Sequence, residues 1–157
     1  MSTPDDAPIL LCYDRSDGAK HAIEAAGALL RGRKAIVVHV WSPVAVVAAA
    51  YGGMGTALPS YDDEELRKAA EQLAGEGVEV AAAAGFDAAP DVAEVTYNGT
   101  SRTILEVADT HDAALIVLGA RGLSGFRSLL LGSVSHGVAQ HAHRPVLIVP
   151  PPAKTEA

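Results

Sequence analysis

Cysteine is almost absent: Cys12 is the only one in 157 residues, so no intramolecular disulfide can form and no thiol pair exists for redox or metal work. Such a chain suits a reducing compartment. Aromatic residues make up 4% of the chain against 49% hydrophobic residues overall, which leaves the core to Ala, Val, Leu and Ile, as in sheets flanked by helices. Positive charge is in deficit. The net charge is −7 and no Lys/Arg cluster reverses it locally, which argues against nucleic acid as a partner. Met1 to Pro8 is short, polar and acidic and lacks the cationic and apolar regions of a secretory signal, so the expected location is cytoplasmic. No run approaches the roughly 20 apolar residues that a membrane-spanning helix needs. The longest weakly polar stretch, Val44 to Leu58, contains Tyr51 and three glycines, is followed by Pro59, and reads as a loop. The length fits one domain over 1–157, with an ordered core over about 8–150.

What is present is an alternation of apolar runs and helical periodicity. Ile9 to Tyr13 reads as a buried strand that ends at Asp14 and feeds a helix capped by Ser16 or Asp17. That helix places Ala19, Ala22, Ile23, Ala26 and Leu30 on one face and stops at Gly32. Ala35 to Trp41 is a second strand, and two strands joined by one helix form a right-handed parallel unit. Between Tyr61 and Gly85, Val78 to Val80 could begin a strand. The spacing of Leu66, Ala70, Leu73, Gly77, Val80 and Ala84 favours one long helix, weakened at Gly75 and Gly77 by about 1 kcal/mol each relative to alanine. After Pro90, the residues Val92, Glu94, Val95 and Tyr97 give a short third strand, and Thr100 or Ser101 caps a helix bearing Ile104, Leu105, Val107 and Ala108. Ala114 to Leu118 is the fourth strand, Gly132 to Ala142 holds the last helix, and Val146 to Val149 is the fifth strand. The pattern predicts an α/β fold with a doubly wound parallel sheet. Ligands of such sheets sit at the carboxyl ends of the strands where the order reverses, and Asp14 and Gly119 end two strands.

Glycine and hydroxyl residues concentrate between Gly119 and Gly137. Gly119 and Gly122 let backbone approach a ligand at the strand end, so bulk at either should block entry. Gly132 and Ser133 open the last helix, where free N–H groups and the positive end of the helix dipole favour an anion, with the Ser133 hydroxyl as a further donor. The set Gly119-x2-Gly122-x9-Gly132-Ser133 resembles the G-x2-G-x9-G-[S/T] signature of ATP-binding universal stress proteins. The resemblance covers most of the chain, from Ile9 through Val38-His39-Val40 to Pro150, and is loose over 42–90.

The resemblance implies a Rossmann-like five-stranded parallel sheet of order 3-2-1-4-5. It also implies ATP with adenine near Asp14 and the backbone of Val40, Leu118 on the adenine side, and sugar and phosphates at Gly119, Gly122, Gly132, Ser133, Val134 and Ser135. Tyr13 departs from the family, which often has a small residue or proline there, and its ring would stack on the adenine or obstruct it. Arg121 and Arg127 lie within or beside the cradle. Phosphate pairing and a solvated surface role are equally open for both, and Arg121, between the two glycines, is kept among the site residues. Mg²⁺ or Mn²⁺ is expected with ATP, since such ions bind phosphates plus only one or two protein groups. The fifth strand would lie at the sheet edge, apolar on both faces with no helix after it, so Val146, Leu147, Ile148 and Val149 are the expected seam of a homodimer.

Other chemistries fit less well. His136, His141 and His143 lack the i, i+4 spacing of two ligands on one helix face. No G-x-S-x-G elbow supports a hydrolase triad of Ser133 or Ser135, His136 and Asp14. Neither G-x-G-x-x-G nor a P-loop is present. A receiver domain needs an acid and a lysine where Asn98 and Pro150 stand. Asp14 also suits a helix-entry turn, and its position in the resemblance favours the ligand reading. Three functional classes stay open: a nucleotide-dependent stress regulator read by an unknown protein partner, a slow ATPase without a placed lysine, and a dimeric interaction module without nucleotide.

Overall fold

The computed structural model describes residues 6–43, 62–121 and 131–152. The loop over 44–60, Gly122 and Arg127 lie outside these segments. Five parallel strands form one sheet in the order β3-β2-β1-β4-β5: β1 (Ile9–Cys12), β2 (Lys34–Trp41), β3 (Asp87–Glu94), β4 (Leu115–Gly119) and β5 (Val146–Val149). Helix α1 (Asp17–Leu30) joins β1 to β2, α2 (Asp63–Ala83) precedes β3, α3 (Thr100–Thr110) joins β3 to β4, and α4 (Ser133–His141) precedes β5.

The middle strand explains the layers. Side chains alternate across a strand, and both faces of β1 are apolar, so both must be covered. Ile9, Leu11 and Tyr13 pack with Ala19, Ala22, Ile23 and Ala26 of α1 and Ala81 of α2. Leu10 packs on the other face with Ile104, Leu105 and Ala108 of α3 and Val138 of α4. Each such side chain, when fully buried, contributes about 1.5–3 kcal/mol.

Helix starts follow local chemistry. Ser16 caps α1, its hydroxyl accepting from the Ala19 N–H at 3.1 Å. Asp62 and Glu65 cap α2 reciprocally, with Asp63, Glu64 and Glu65 at the positive end of its dipole. Two expectations are corrected in the third unit. Strand β3 begins at Asp87, runs through Pro90 and ends at Glu94, while Tyr97 lies beyond it and is 98% exposed. Pro90 is tolerated because β3 is an edge strand that needs ladder partners on one side only. All eight residues of β2 pair with it, from Lys34 opposite Asp87 to Trp41 opposite Glu94. The cap of α3 is Gly99, without a side-chain hydrogen bond, and Thr100 is the first helical residue. The hydroxyl of Thr103 organises the turn instead, donating to the Gly99 carbonyl and accepting from the Thr96 N–H.

Strand β5 pairs with β4 on one side, from Ile116 opposite Val146 to Gly119 opposite Val149. Its faces are better covered than expected: Leu147 packs toward the α1 layer, and Val146 and Ile148 pack toward the α3–α4 layer.

Helix α2 is continuous through both of its glycines. A Cβ on Gly77 would fall 2.6 Å from Val37 Cγ1 and 2.8 Å from the Tyr13 ring, whereas one on Gly75 would meet nothing within 4 Å. The two substitutions therefore have opposite signs. Gly75→Ala should stabilise by up to about 1 kcal/mol, and Gly77→Ala should destabilise by about 1–3 kcal/mol, as read by the midpoints of urea unfolding.

Candidate functional site

Chain order leaves β1 toward β2 on one side and β4 toward β5 on the other, so the sheet reverses between β1 and β4. A cavity of about 320 Å³ opens there at the carboxyl ends of the strands, within the usual size range of small-molecule sites. Its wall includes Tyr13, Asp14, Val40, Leu118, Gly119, Arg121, Gly132, Ser133, Val134 and Ser135, which brings together every described candidate. Cys12, Ser16, Ala19, Val38, His39, Thr100 and Ile104 complete it.

The loop after β1 is held from several directions. Asp14 Oδ1 accepts from the Ser16 N–H at 3.0 Å and from the Ser16 hydroxyl, so one carboxylate oxygen serves the helix-entry turn. Arg15 adopts the left-handed conformation at φ 67°, which costs energy for a residue with a Cβ. Its guanidinium reaches Glu76 of α2 at 3.2 Å, an exposed pair that adds little stability. His39 Nδ1 lies 2.8 Å from the Tyr13 carbonyl. A carbonyl only accepts, so this nitrogen carries the proton.

Tyr13 corrects an expectation. Its ring is 3% exposed and lies against Gly77 and Val37 on the α1–α2 side of the sheet, so it neither stacks in the cavity nor obstructs it. Burial, reinforced by the Glu76 charge, pushes its phenol above the usual range. Neighbouring Cys12 is also neutral: burial and then the Asp14 charge push its thiol up to about 12, which removes the reactive thiolate at physiological pH.

The glycines divide by what surrounds them. A Cβ on Gly119 would lie 2.9 Å from the carbonyl oxygen of Gly18, and one on Gly18 would lie 2.8 Å from that of Arg121. Gly119 is therefore required by contact between the end of β4 and the first turn of α1, and bulk there would collide with backbone before any ligand. Gly132 differs. Its φ is −63° and the nearest atom to an added Cβ is the Ala120 oxygen at 3.4 Å, so neither conformation nor packing demands a glycine.

Helix α4 begins at this open position without a side-chain cap. The Gly132 N–H is used, donating to Ala120 at 2.8 Å. The first-turn amides of Ser133, Val134 and Ser135 have no intrahelical acceptor and stand at the positive end of the dipole. The Ser135 hydroxyl is buried, 2.8 Å from the Ala120 carbonyl and 3.0 Å from the Gly132 carbonyl, so it is a structural tie and leaves the backbone amide as the group that faces the site. Ser133 is exposed at the cavity.

Residues 7–150 match the sequence profile described as the Universal stress protein family. The chain belongs to the universal stress protein family. It is 34% identical over 148 residues to "Universal stress protein YxiE" of Bacillus subtilis, covering 90% of this chain and 97% of that one. The solved universal stress protein from Archaeoglobus fulgidus in complex with dAMP is 25% identical, with a TM-score of 0.64 over 90% of this chain and 96% of that one. A universal stress protein solved in complex with cAMP is 26% identical, with a TM-score of 0.64 over 90% of this chain and 95% of that one.

A second cavity of about 260 Å³ lies between α3 and α4, lined by Asn98, Ser101, Arg102, Leu105, Gly137 and His141, and holds none of the candidates. Among the described residues no group of three His, Cys, Asp or Glu comes together to hold a metal, and no helix is long and apolar enough to cross a membrane. The lining residues that sequence reading missed on α3, Thr100 and Ile104, follow β3. Because β3 runs parallel to β1 and β4, the start of α3 lies at the same carboxyl edge as Asp14 and Gly119.

Proposed function

We infer that this universal stress protein binds ATP in the switch-point cavity and works as a homodimeric, nucleotide-dependent regulator of stress adaptation in the cytoplasm. The observation that carries the reading is the start of α4: uncapped amides open onto the cavity beside a glycine that the protein itself does not need. A phosphate would use those amides and the Ser133 hydroxyl, and the space a Gly132 side chain would fill. The neighbours with dAMP and cAMP support an adenine nucleotide, and the apolar wall of Val38, Val40, Ile104 and Leu118 suits a flat base.

Asp14 is the one carboxylate among the described lining residues. Mg²⁺ or Mn²⁺ would therefore take most of its ligands from the phosphates, and any hydrolysis would be slow for want of a second acid or a lysine to orient water. ATP then acts as a signal, and its partner is a protein that reads the nucleotide-bound surface. A dimeric interaction module without nucleotide is the alternative reading. The unpaired outer side of β5 supports a dimer through Val146, Leu147, Ile148 and Val149.

Calorimetric titration of MgATP into nucleotide-free protein tests the site. Saturable binding that is lost in Gly132→Val/Ser133→Ala is expected, because the backbone at Gly132 accepts valine while its methyl groups fill the cradle. A folded wild type that binds nothing contradicts it and leaves the interaction module. For the dimer, sedimentation of Ile148→Lys should give a monomer, and an unchanged dimer rejects the β5 seam.

A further inference from the structure

Four serine and threonine side chains line the cavity: Ser16, Thr100, Ser133 and Ser135. Two are committed to the protein. Ser16 donates to Asp14 and accepts from Ala19, and Ser135 lies on the carbonyls of Ala120 and Gly132. Among the described residues, Thr100 and Ser133 have no side-chain hydrogen-bond partner. Ser133 belongs to the anion end already described. Thr100 has no role in that account.

The position of Thr100 narrows what it can meet. It is half-buried at the start of α3, and one turn further Ile104 is 3% exposed and lines the same cavity with Val38 and Val40. Helix α3 packs over β2 and β3 and along α4. The start of α4 is tied instead to the loop after β4, through the Gly132 N–H on Ala120. Both hydroxyls stand at uncapped helix starts, and what sets Thr100 apart is the apolar wall of Ile104, Val38 and Val40 beside it.

We propose that Thr100 is a specificity-determining residue whose hydroxyl hydrogen-bonds the nucleoside half of the bound nucleotide. The proposal rests on the nucleotide reading above and adds a contact from the loop after β3. A threonine hydroxyl both donates and accepts, so it serves a base edge or a ribose hydroxyl, and a valine of the same shape serves neither.

The test is calorimetric titration of adenosine, AMP and ATP into the wild type, Thr100→Val, Thr100→Ser and Ser133→Ala, with thermal unfolding of each. Thr100→Val should weaken all three ligands by the same factor, about three- to tenfold, and Thr100→Ser should restore them. Ser133→Ala should weaken AMP and ATP and leave adenosine unchanged. Thr100→Ala repeats the test if the valine variant loses its fold. Wild-type affinity for all three ligands in Thr100→Val overturns the assignment, and so does a loss confined to AMP and ATP. A wild type that binds none of the three removes the nucleotide reading itself.

Discussion

The end of β4 and the first turn of α1 meet backbone to backbone, with the Gly18 carbonyl 2.9 Å from the place where a Gly119 side chain would begin. That contact draws α1 against the strand end and closes one side of the switch point. With α1 so placed, Ser16 caps the helix, Asp14 holds Ser16, and the Tyr13 ring turns away to Gly77 of α2. The cavity then opens toward α3 and α4, whose first residues line it and whose N-termini lack side-chain caps.

The sheet was largely legible because its central strands are uninterrupted apolar runs and its helices begin at recognisable polar residues. The third strand was not, because Asp87, Pro90 and Asp91 are poor strand formers and only the ladder offered by the eight residues of β2 draws them into the sheet. The candidate site was legible as a set of positions but less so as a set of roles. Glycine spacing cannot tell a residue that makes room for backbone, as Gly119 does, from one that neither packing nor conformation requires, as at Gly132. Nor can a serine in a motif declare whether its proton is already taken, as in Ser135.

The groups that the protein leaves unbonded give the site its polarity. Many polar groups around the cavity are used internally: Asp14 Oδ1, the hydroxyls of Ser16 and Ser135, the Gly132 N–H and His39 Nδ1. What is left over lies at the starts of α3 and α4, the Thr100 hydroxyl at the first and the Ser133 hydroxyl with first-turn N–H groups that favour negative charge at the second, in a chain whose net charge is −7. An acidic protein that keeps one anion-attracting corner at its switch point, with an apolar wall beside it, has the chemistry to hold a phosphorylated base.

Backbone ¹⁵N NMR during titration with MgATP reads directly which amides meet the ligand. The largest shift changes are expected at Ser133, Val134 and Ser135, with smaller ones at Asp14 and Val40. Changes centred instead on Ser101, Arg102 and His141 at the second cavity, or none at Ser133 to Ser135 while the ligand binds, would contradict the proposed site.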